Sequence, residues 1–479
     1  MVRPFIAEQS DAAGVRAERA PPVQWALAGL ALSMLLSSLG TSIANVALPN
    51  LAQAFTASFQ EVQWIVLAYL LAITTLIVSA GRLGDIIGRR RLLLTGIALF
   101  TMASVLCGVA PTLWLLIAAR AAQGLGAAIM MALTMALIAD AVPKAKTGRA
   151  MGVLGTMSAI GTALGPSLGG VTIAGPGWRA IFLVNVPLGI LTFLIAYRTL
   201  PVDRRLKTDK SGFDAMGTLL LTLTLAAYTL AMTMGRGRFG PLNGVLLLTA
   251  VFGVGLFVRV EAQAISPLIR LTMFRDPILT AGFAMSALVS TVMMVTLVVG
   301  PFYLSVALGL DAVVVGLVLS VGPLVVALTG VPAGRIADRF GAQRMTGAGL
   351  VAMAAGSLAL STMPVTLGIP GYVAPIVVIT AGYALFQTAN NTTVMTDTGA
   401  DQRGVVSGLL NLSRNLGLIT GASAMGAVFA LASATTDVTA APPEAIATGM
   451  RITFATAAFL IVVAFVIAML SRAAAKSDA

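Results

Sequence analysis

The chain has 479 residues, of which 58% are hydrophobic and only 10% charged, with a mean hydropathy of +0.96 and a net charge of +12. A soluble domain carries roughly 25% charged residues, so water cannot be the solvent around most of this chain. The basic excess falls in short segments between apolar runs, as membrane topology requires, so no nucleic-acid partner is expected. There is no histidine, and Cys107 is the single cysteine, inside an apolar run. That removes an intrachain disulfide, the commonest metal ligand and the usual proton relay near neutral pH. No metal site and no cofactor are expected, and Cys107 reads as a small core residue.

In lipid every backbone polar group needs an internal partner, which leaves helices or closed barrels. The apolar runs are about 20 residues long without period-2 alternation, so helices are expected. Residues 1–24 are polar and mixed in charge and read as a cytoplasmic tail. The first apolar run, 25–48, is too long for the core of a signal peptide and reads as a retained helix. Further spans are expected near 62–80, 92–110, 113–139, 149–174, 179–199, 214–234, 241–259, 277–303, 312–333, 346–364, 371–394, 404–432 and 450–471. The fold class is thus an all-α polytopic membrane protein of about fourteen helices. One set of alternate loops carries Arg82, Arg89, Arg90, Arg91, Lys144, Lys146, Arg149, Arg204, Arg205, Lys207, Lys210, Arg270, Arg275, Arg335, Arg339 and Arg344; the other has only Arg179, Arg236, Arg238 and Arg451. The first set is expected in the cytoplasm, with both termini, in the cell membrane.

The sequence repeats. Gly81-Arg-Leu-Gly-Asp85-Ile-Ile-Gly88-Arg89-Arg90-Arg91 returns as Gly334-Arg-Ile-Ala-Asp338-Arg339-Phe-Gly341-Ala-Gln-Arg344 at an offset of 253, and Gly152, Gly161 and Gly165 return as Gly408, Gly417 and Gly421 at an offset of 256. Two matches at nearly one offset imply two homologous six-helix bundles, 25–200 and 277–471. Between them, 201–276 is a linker with two extra helices, and 472–479 is a second cytoplasmic tail. Parallel repeats of this kind usually rock about a midplane site.

The glycines of the Gly81–Arg91 segment are expected to turn the chain sharply, and Asp85 to pair with Arg89 or a helix N-terminus. Arg120 is a cation inside an apolar run, at a cost of roughly 2.5–3.5 kcal/mol, so it should face a cavity or a partner. Gln123 lies one turn on, on the same face. Pro166 has no N–H, so Gly165-Pro166 should bend its helix, while Gly161, Gly165, Gly169 and Gly170 offer a small-residue packing face. The second copy has Ala422 at the proline position and should bend less. Three polar stripes at helical spacing should turn inward: Ser38, Thr41, Ser42 and Asn45; Gln387, Asn390 and Asn391; Asn411, Arg414 and Asn415. The Met and aromatic residues Trp64, Tyr69, Phe283, Met285, Met293, Met294 and Phe386 read more simply as packing than as a pocket.

The Gly81–Arg91 segment resembles the loop signature of the major facilitator superfamily. Arg120-Ala-Ala-Gln123-Gly124-Leu-Gly126 resembles its fourth-helix motif, and Gly161-Thr-Ala-Leu-Gly165-Pro166-Ser-Leu-Gly169-Gly170 its fifth-helix antiporter motif. Asn45-Val-Ala-Leu-Pro49 and Trp178-Arg179-Ala-Ile-Phe182-Leu-Val-Asn185-Val-Pro187 look like the fourteen-helix drug:proton antiporter family. The resemblance covers about residues 25–425. It implies proton-coupled efflux of drugs or other small amphipathic compounds by alternating access, a coupling or substrate role for Arg120, cytoplasmic gate loops at both copies of the signature, and a leak-blocking bend at Gly165-Pro166. It implies a small-molecule substrate, protons as coupling ion, and a monomer in the lipid bilayer.

One departure bears on mechanism. The family's first-helix motif has Asp five residues before the Asn that matches Asn45; here that residue is Gly40. No carboxylate lies near the middle of an expected span, although antiport needs a group that titrates in step with substrate. Arg120 and Arg414 are then intramembrane cations that favour an anionic or neutral substrate over a polycation. No lysine follows a glycine, so no phosphate-binding loop is present. No nucleophile–base pair or metal cluster suggests an enzyme. A carrier of a neutral or anionic metabolite without proton coupling, and a sensor derived from a transporter, stay compatible with these residues.

Overall fold

A computed structural model describes residues 23–141, 147–201, 214–234, 240–264, 267, 271–396, 403–433 and 441–477. Most of the N-terminal tail and the basic positions Lys144, Lys146, Arg204, Arg205, Lys207, Lys210, Arg236, Arg238 and Arg270 lie outside the described residues. So do the side chains of Arg82, Asp85, Asp140 and Asp338.

The helices are α1 (Val23–Val46), α2 (Leu48–Ala54), α3 (Phe59–Ile87), α4 (Arg89–Val109), α5 (Leu113–Ala141), α6 (Thr147–Ala174), α7 (Ala180–Leu183), α8 (Asn185–Thr199), α9 (Ala215–Thr233), α10 (Pro241–Gln263), α11 (Pro277–Val298), α12 (Gly300–Phe302), α13 (Ala312–Phe340), α14 (Ala342–Thr362), α15 (Gly368–Thr396), α16 (Arg403–Thr420), α17 (Gly426–Ala432) and α18 (Pro443–Ser477). They make 14 stretches long and apolar enough to cross a membrane. Successive spans alternate in direction, so the chain has a basic side, where α3 hands over to α4 and α13 to α14, and a far side. The expected 472–479 tail is still helical through Ser477.

Helix starts explain where the acids went. Ser58 and Glu61 form a reciprocal capping box at the head of α3. Asp214, Asp276 and Asp311 each accept backbone N–H bonds at 2.7–3.2 Å as N-caps of α9, α11 and α13. Four of the few described carboxylates are therefore spent on orphan N–H groups at helix ends.

The Gly81–Arg91 segment is not the sharp loop expected from its glycines. α3 runs through Gly81 and Gly84 to Ile87, and the turn is made by Gly88 alone, at φ +111°. Gly341 does the same between α13 and α14 at φ +89°. Only glycine reaches that conformation cheaply. Gly84 serves packing instead, since a Cβ there would come within 2.4 Å of Leu133 Cδ2. Arg90 Nη2 donates to the Tyr197 carbonyl at 2.6 Å and its guanidinium lies over the Tyr197 ring, tying α4 to the end of α8.

The repeat is visible in the packing. α1 packs on α6 as α11 packs on α16; α5 packs on α3 and α4 as α15 packs on α13 and α14; α8 meets α1 and α4 as α18 meets α11 and α14. Matching glycines make the tightest crossings. A Cβ on Gly161 would meet the Leu35 carbonyl and Ser38, and a Cβ on Gly417 would meet the Ala287 carbonyl and Ser290. α9 and α10 form a hairpin outside this symmetry, with α9 lying along α3 and the π-helical stretch Gly421–Met425. Trp64 Nε1 donates to Thr233 Oγ1 at 3.1 Å, and Ser79 and Thr218 share a 2.8 Å hydroxyl contact.

The two halves meet at their far-side ends. Gly170 of α6 and Gly316 of α13 cross so closely that a Cβ on Gly316 would lie 2.4 Å from the Pro166 carbonyl. Across the other seam, Phe59 of α3 inserts between Phe302 and Phe429, with ring centroids at 4.8 and 5.2 Å. Gln63 Nε2 donates to the Ala422 carbonyl at 3.0 Å.

α6 is one helix from Thr147 to Ala174 with Pro166 inside it, where the missing N–H interrupts the backbone ladder. Its counterpart, expected to be the more regular because Ala422 replaces proline, carries the π-helical stretch Gly421–Met425. A π-bulge shifts the backbone ladder by one residue. It sits where the carbonyl of Ala422 receives Gln63 from the other half.

Candidate functional site

Arg120 lies inside α5 with no exposed surface. Its Nε donates to the Ile65 carbonyl of α3 at 2.9 Å, and Nη1 donates to the Gly40 carbonyl of α1 at 3.1 Å and to Gln123 Oε1 at 2.5 Å. Gln123 Nε2 continues to Ser104 Oγ of α4 at 2.7 Å. The guanidinium stacks over Tyr69, 4.1 Å from the ring centroid, with Phe182 at 5.9 Å. The cation thus joins α1, α3 and α5 in a flat fork that only arginine offers, and Gln123 extends the link to α4. Its Nη2 has no partner.

Gly40 is not a carboxylate site left open. A Cβ there would lie 2.9 Å from the Tyr69 hydroxyl and 3.2 Å from the Phe100 ring. Tyr69 is itself held by a 2.8 Å bond to the Ser37 carbonyl. Gly40→Asp should therefore overpack the bundle, at a cost of roughly 1–3 kcal/mol, before the desolvation of the new charge. The expected result is a fall in the detergent-solubilised melting temperature without gain of transport; an unchanged melting temperature would count against this packing.

The Asn45 and Asn185 amides bond locally. Each asparagine stands near a helix break with a proline close behind, Pro49 and Pro187. Asn45 Nδ2 donates to the Thr41 and Ser42 carbonyls at 3.0 and 3.2 Å, and Asn185 Nδ2 to the Ile181 and Phe182 carbonyls at 3.3 Å. These are back-bonds to carbonyls one turn earlier, not to the Asn45 and Leu183 carbonyls that Pro49 and Pro187 deprive of an N–H donor four residues on. Both Oδ1 atoms stay without a partner. Trp178 packs beside Phe55 and Phe182 with Arg179 over its ring.

The three polar stripes have different fates. On α1, Thr41 bonds back to the Ser37 carbonyl, and Ser38 meets Ser158 of α6 at 2.7 Å, so this face is mostly consumed by helix packing. In the other half, Gln387, Asn390 and Asn391 of α15 and Arg414 of α16 line one narrow cleft with Ser286 and Ser290 of α11. Tyr383 and Phe386 complete its wall. Asn390 donates to the Gly282 carbonyl at 3.2 Å. Asn411 and Asn415 lie on α16 outside this lining. Among the gate positions, Gly88 and Gly341 make the turns, Arg89 is half-buried, Arg339 stacks on Phe340 at 5.4 Å, a Cβ on Gly81 would meet open space, and one on Gly334 would lie 3.9 Å from Thr388 Cγ2.

One charged residue escaped sequence reading. Glu261, 3% exposed, points from α10 at the start of α9. A Cβ on Gly217 would lie 2.5 Å from Asp214 Oδ2 and 2.6 Å from Glu261 Oε1, so the two carboxylates converge there. Asn243, Ala250, Phe257 and Glu261 form the buried face of α10, and their spacing of seven, seven and four is the signal that could have revealed it. Among the described residues no group of His, Cys, Asp and Glu could hold a metal ion.

Comparison with known proteins agrees with this architecture. The chain is 34% identical over 413 residues to the multidrug resistance protein Stp of Mycobacterium tuberculosis, covering 84% of this chain and 74% of Stp. It is 30% identical over 418 residues to the multidrug efflux pump LfrA of Mycolicibacterium smegmatis, covering 86% and 82%, and 28% identical over 401 residues to the riboflavin transporter RibZ of Clostridioides difficile, covering 84% and 87%. Among solved structures, a bacterial homolog of the human lysosomal transporter Spinster in an inward-facing conformation superposes with a TM-score of 0.68 at 17% identity, covering 94% of this chain and 96% of that one. The Major Facilitator Superfamily profile matches residues 30–422. With a family profile and relatives this similar over most of its length, the chain belongs to the Major Facilitator Superfamily and is a multi-pass membrane transporter, not an enzyme.

Proposed function

We propose that this transporter exports small amphipathic organic compounds across the cell membrane by alternating access, with protons moving inward, as a monomer whose basic side and both termini face the cytoplasm. The observation that supports export most directly is the 34% identity to a multidrug resistance protein across 413 residues. The far-side contacts of Phe59, Gln63 and Gly316 fit one arrangement of two bundles that rock, with residues 25–200 and 277–471 as the moving units and the α9–α10 hairpin as linker.

Proton coupling needs a titrating group, and α1 supplies none at Gly40. Glu261 is a buried described carboxylate and is the informative position. The test is a proteoliposome assay with an imposed pH gradient and a panel of dyes and drugs. Gradient-driven accumulation that collapses with a protonophore is expected, and Glu261→Gln should retain downhill flux while losing accumulation. Equal transport with and without the gradient would reject the coupling and leave a uniporter. RibZ, named for riboflavin, is a reason to include neutral and acidic aromatic compounds in the panel.

A further inference from the structure

We infer that the cleft around Arg414 is the binding site for the charged end of an organic anion, one carrying a carboxylate or phosphoryl group on an aromatic body. The inference rests on the transporter reading above and names the substrate class of that site.

Arg414 lies eleven residues into α16, about 16 Å along the helix from its basic-side end. A cation at that depth is costly unless it faces a partner or an aqueous path. Arg414 is exposed, and among the described residues it has no acidic, hydrogen-bonding or ring partner. Contrast Arg120, whose fork is occupied by two carbonyls and Gln123. The cleft beside Arg414 collects carboxamides from Gln387 and Asn391 and hydroxyls from Ser286 and Ser290, and no carboxylate lines it. Every polar group there can donate a hydrogen bond, and one is a permanent cation. That is a complement for a cluster of acceptor oxygens, and it repels a cationic drug.

Lining and symmetry narrow the reading. Tyr383 and Phe386 line the cleft too and offer surface to an aromatic body. At the repeat offset of 256, the counterpart of Arg414 is Ser158, which closes on Ser38 at 2.7 Å. The anion site therefore exists in one half only, where the repeat has diverged from packing toward recognition.

The test uses the purified full-length protein in phosphatidylcholine nanodiscs and two dyes with one xanthene ring system, dianionic fluorescein and cationic rhodamine 123, titrated by fluorescence anisotropy at pH 8. Fluorescein should bind at least about ten-fold more tightly, as one charge-assisted bidentate contact warrants. Arg414→Gln should erase that preference by weakening fluorescein, Arg414→Lys should keep part of it, and Asn391→Leu should weaken fluorescein less. Should Arg414→Gln not fold, as judged by gel filtration, the Lys and Asn391 variants carry the test. Rhodamine 123 binding as well or better, an absence of saturable fluorescein binding, or variants that bind fluorescein like the parent would each overturn the inference. The assay contains no gradient, so failure of proton coupling leaves its result standing, and gradient-driven transport of cations alone would reject this substrate class without touching the coupling.

Discussion

Arg120→Ala is expected to abolish transport while the chain still inserts. Insertion becomes easier, because a membrane-centre arginine costs roughly 2.5–3.5 kcal/mol on insertion scales. What is lost is assembly: the donors to the Gly40 and Ile65 carbonyls, the bond to Gln123 and the stack on Tyr69. Hydrogen bonds to charged groups contribute about 1.5–3 kcal/mol each, so α1, α3 and α5 lose their shared anchor. Arg120→Lys should fail as well, since an ammonium cannot hold two carbonyls and lie flat on a ring at once. The measurement is gradient-driven uptake into proteoliposomes alongside a melting curve. Loss of transport by about ten-fold or more in both variants, beyond what the fall in melting temperature explains, is the expected outcome. Normal transport by either variant would remove Arg120 from the mechanism.

The sequence carried the architecture because its two strongest signals are global. Long apolar runs and the alternation of basic loops need no tertiary detail, and the repeat offset implies the packing symmetry that Gly161 and Gly417 display. Of the α16 stripe only Arg414 reaches the cleft lined by Gln387, Asn390 and Asn391, while Asn411 and Asn415 lie outside it, a split that helical spacing alone does not reveal. Local choices were less legible. Nothing in the run from Gly81 to Arg91 says that Gly88 alone turns the chain while Gly84 is held by Leu133. The α1 stripe looked like a pathway, but hydroxyls in a helix can bond back to their own carbonyls, and Thr41 does so. Asn45 reads as a functional motif, but its amide bonds back to carbonyls one turn earlier in its own helix. The π-helical stretch at Gly421 was hidden altogether, because its partner Gln63 lies 359 residues away in the chain.

The second large effect belongs to the far-side seam. Phe59 is 1% exposed and touches Phe302 and Phe429 of the other half edge-on and tilted. If the bundles rock as proposed, these contacts exist only while the far side is closed, so their loss acts on one state and not on the other. Truncating a buried phenylalanine costs roughly 3–5 kcal/mol. If even half of that belongs to the closed state alone, Phe59→Ala moves the ratio of states by about ten-fold or more. Gln63→Leu removes a single neutral hydrogen bond to the Ala422 carbonyl, worth about 1 kcal/mol, and should move it in the same direction by less. Val299→Cys is a suitable reporter, because Val299 lies three residues before Phe302 in the chain and has no exposed surface, and the native Cys107 is buried. A membrane-impermeant maleimide added to the far side should label Val299→Cys slowly, and faster in the order Gln63→Leu, then Phe59→Ala. Turnover should fall with the same order, since a transporter that rests open to one side spends less time reloading from the other. Labelling rates that ignore Phe59 would mean that the ring cluster packs equally well in both states, and the switch would then have to lie at the Gly170–Gly316 crossing, where backbone and not side chains sets the distance.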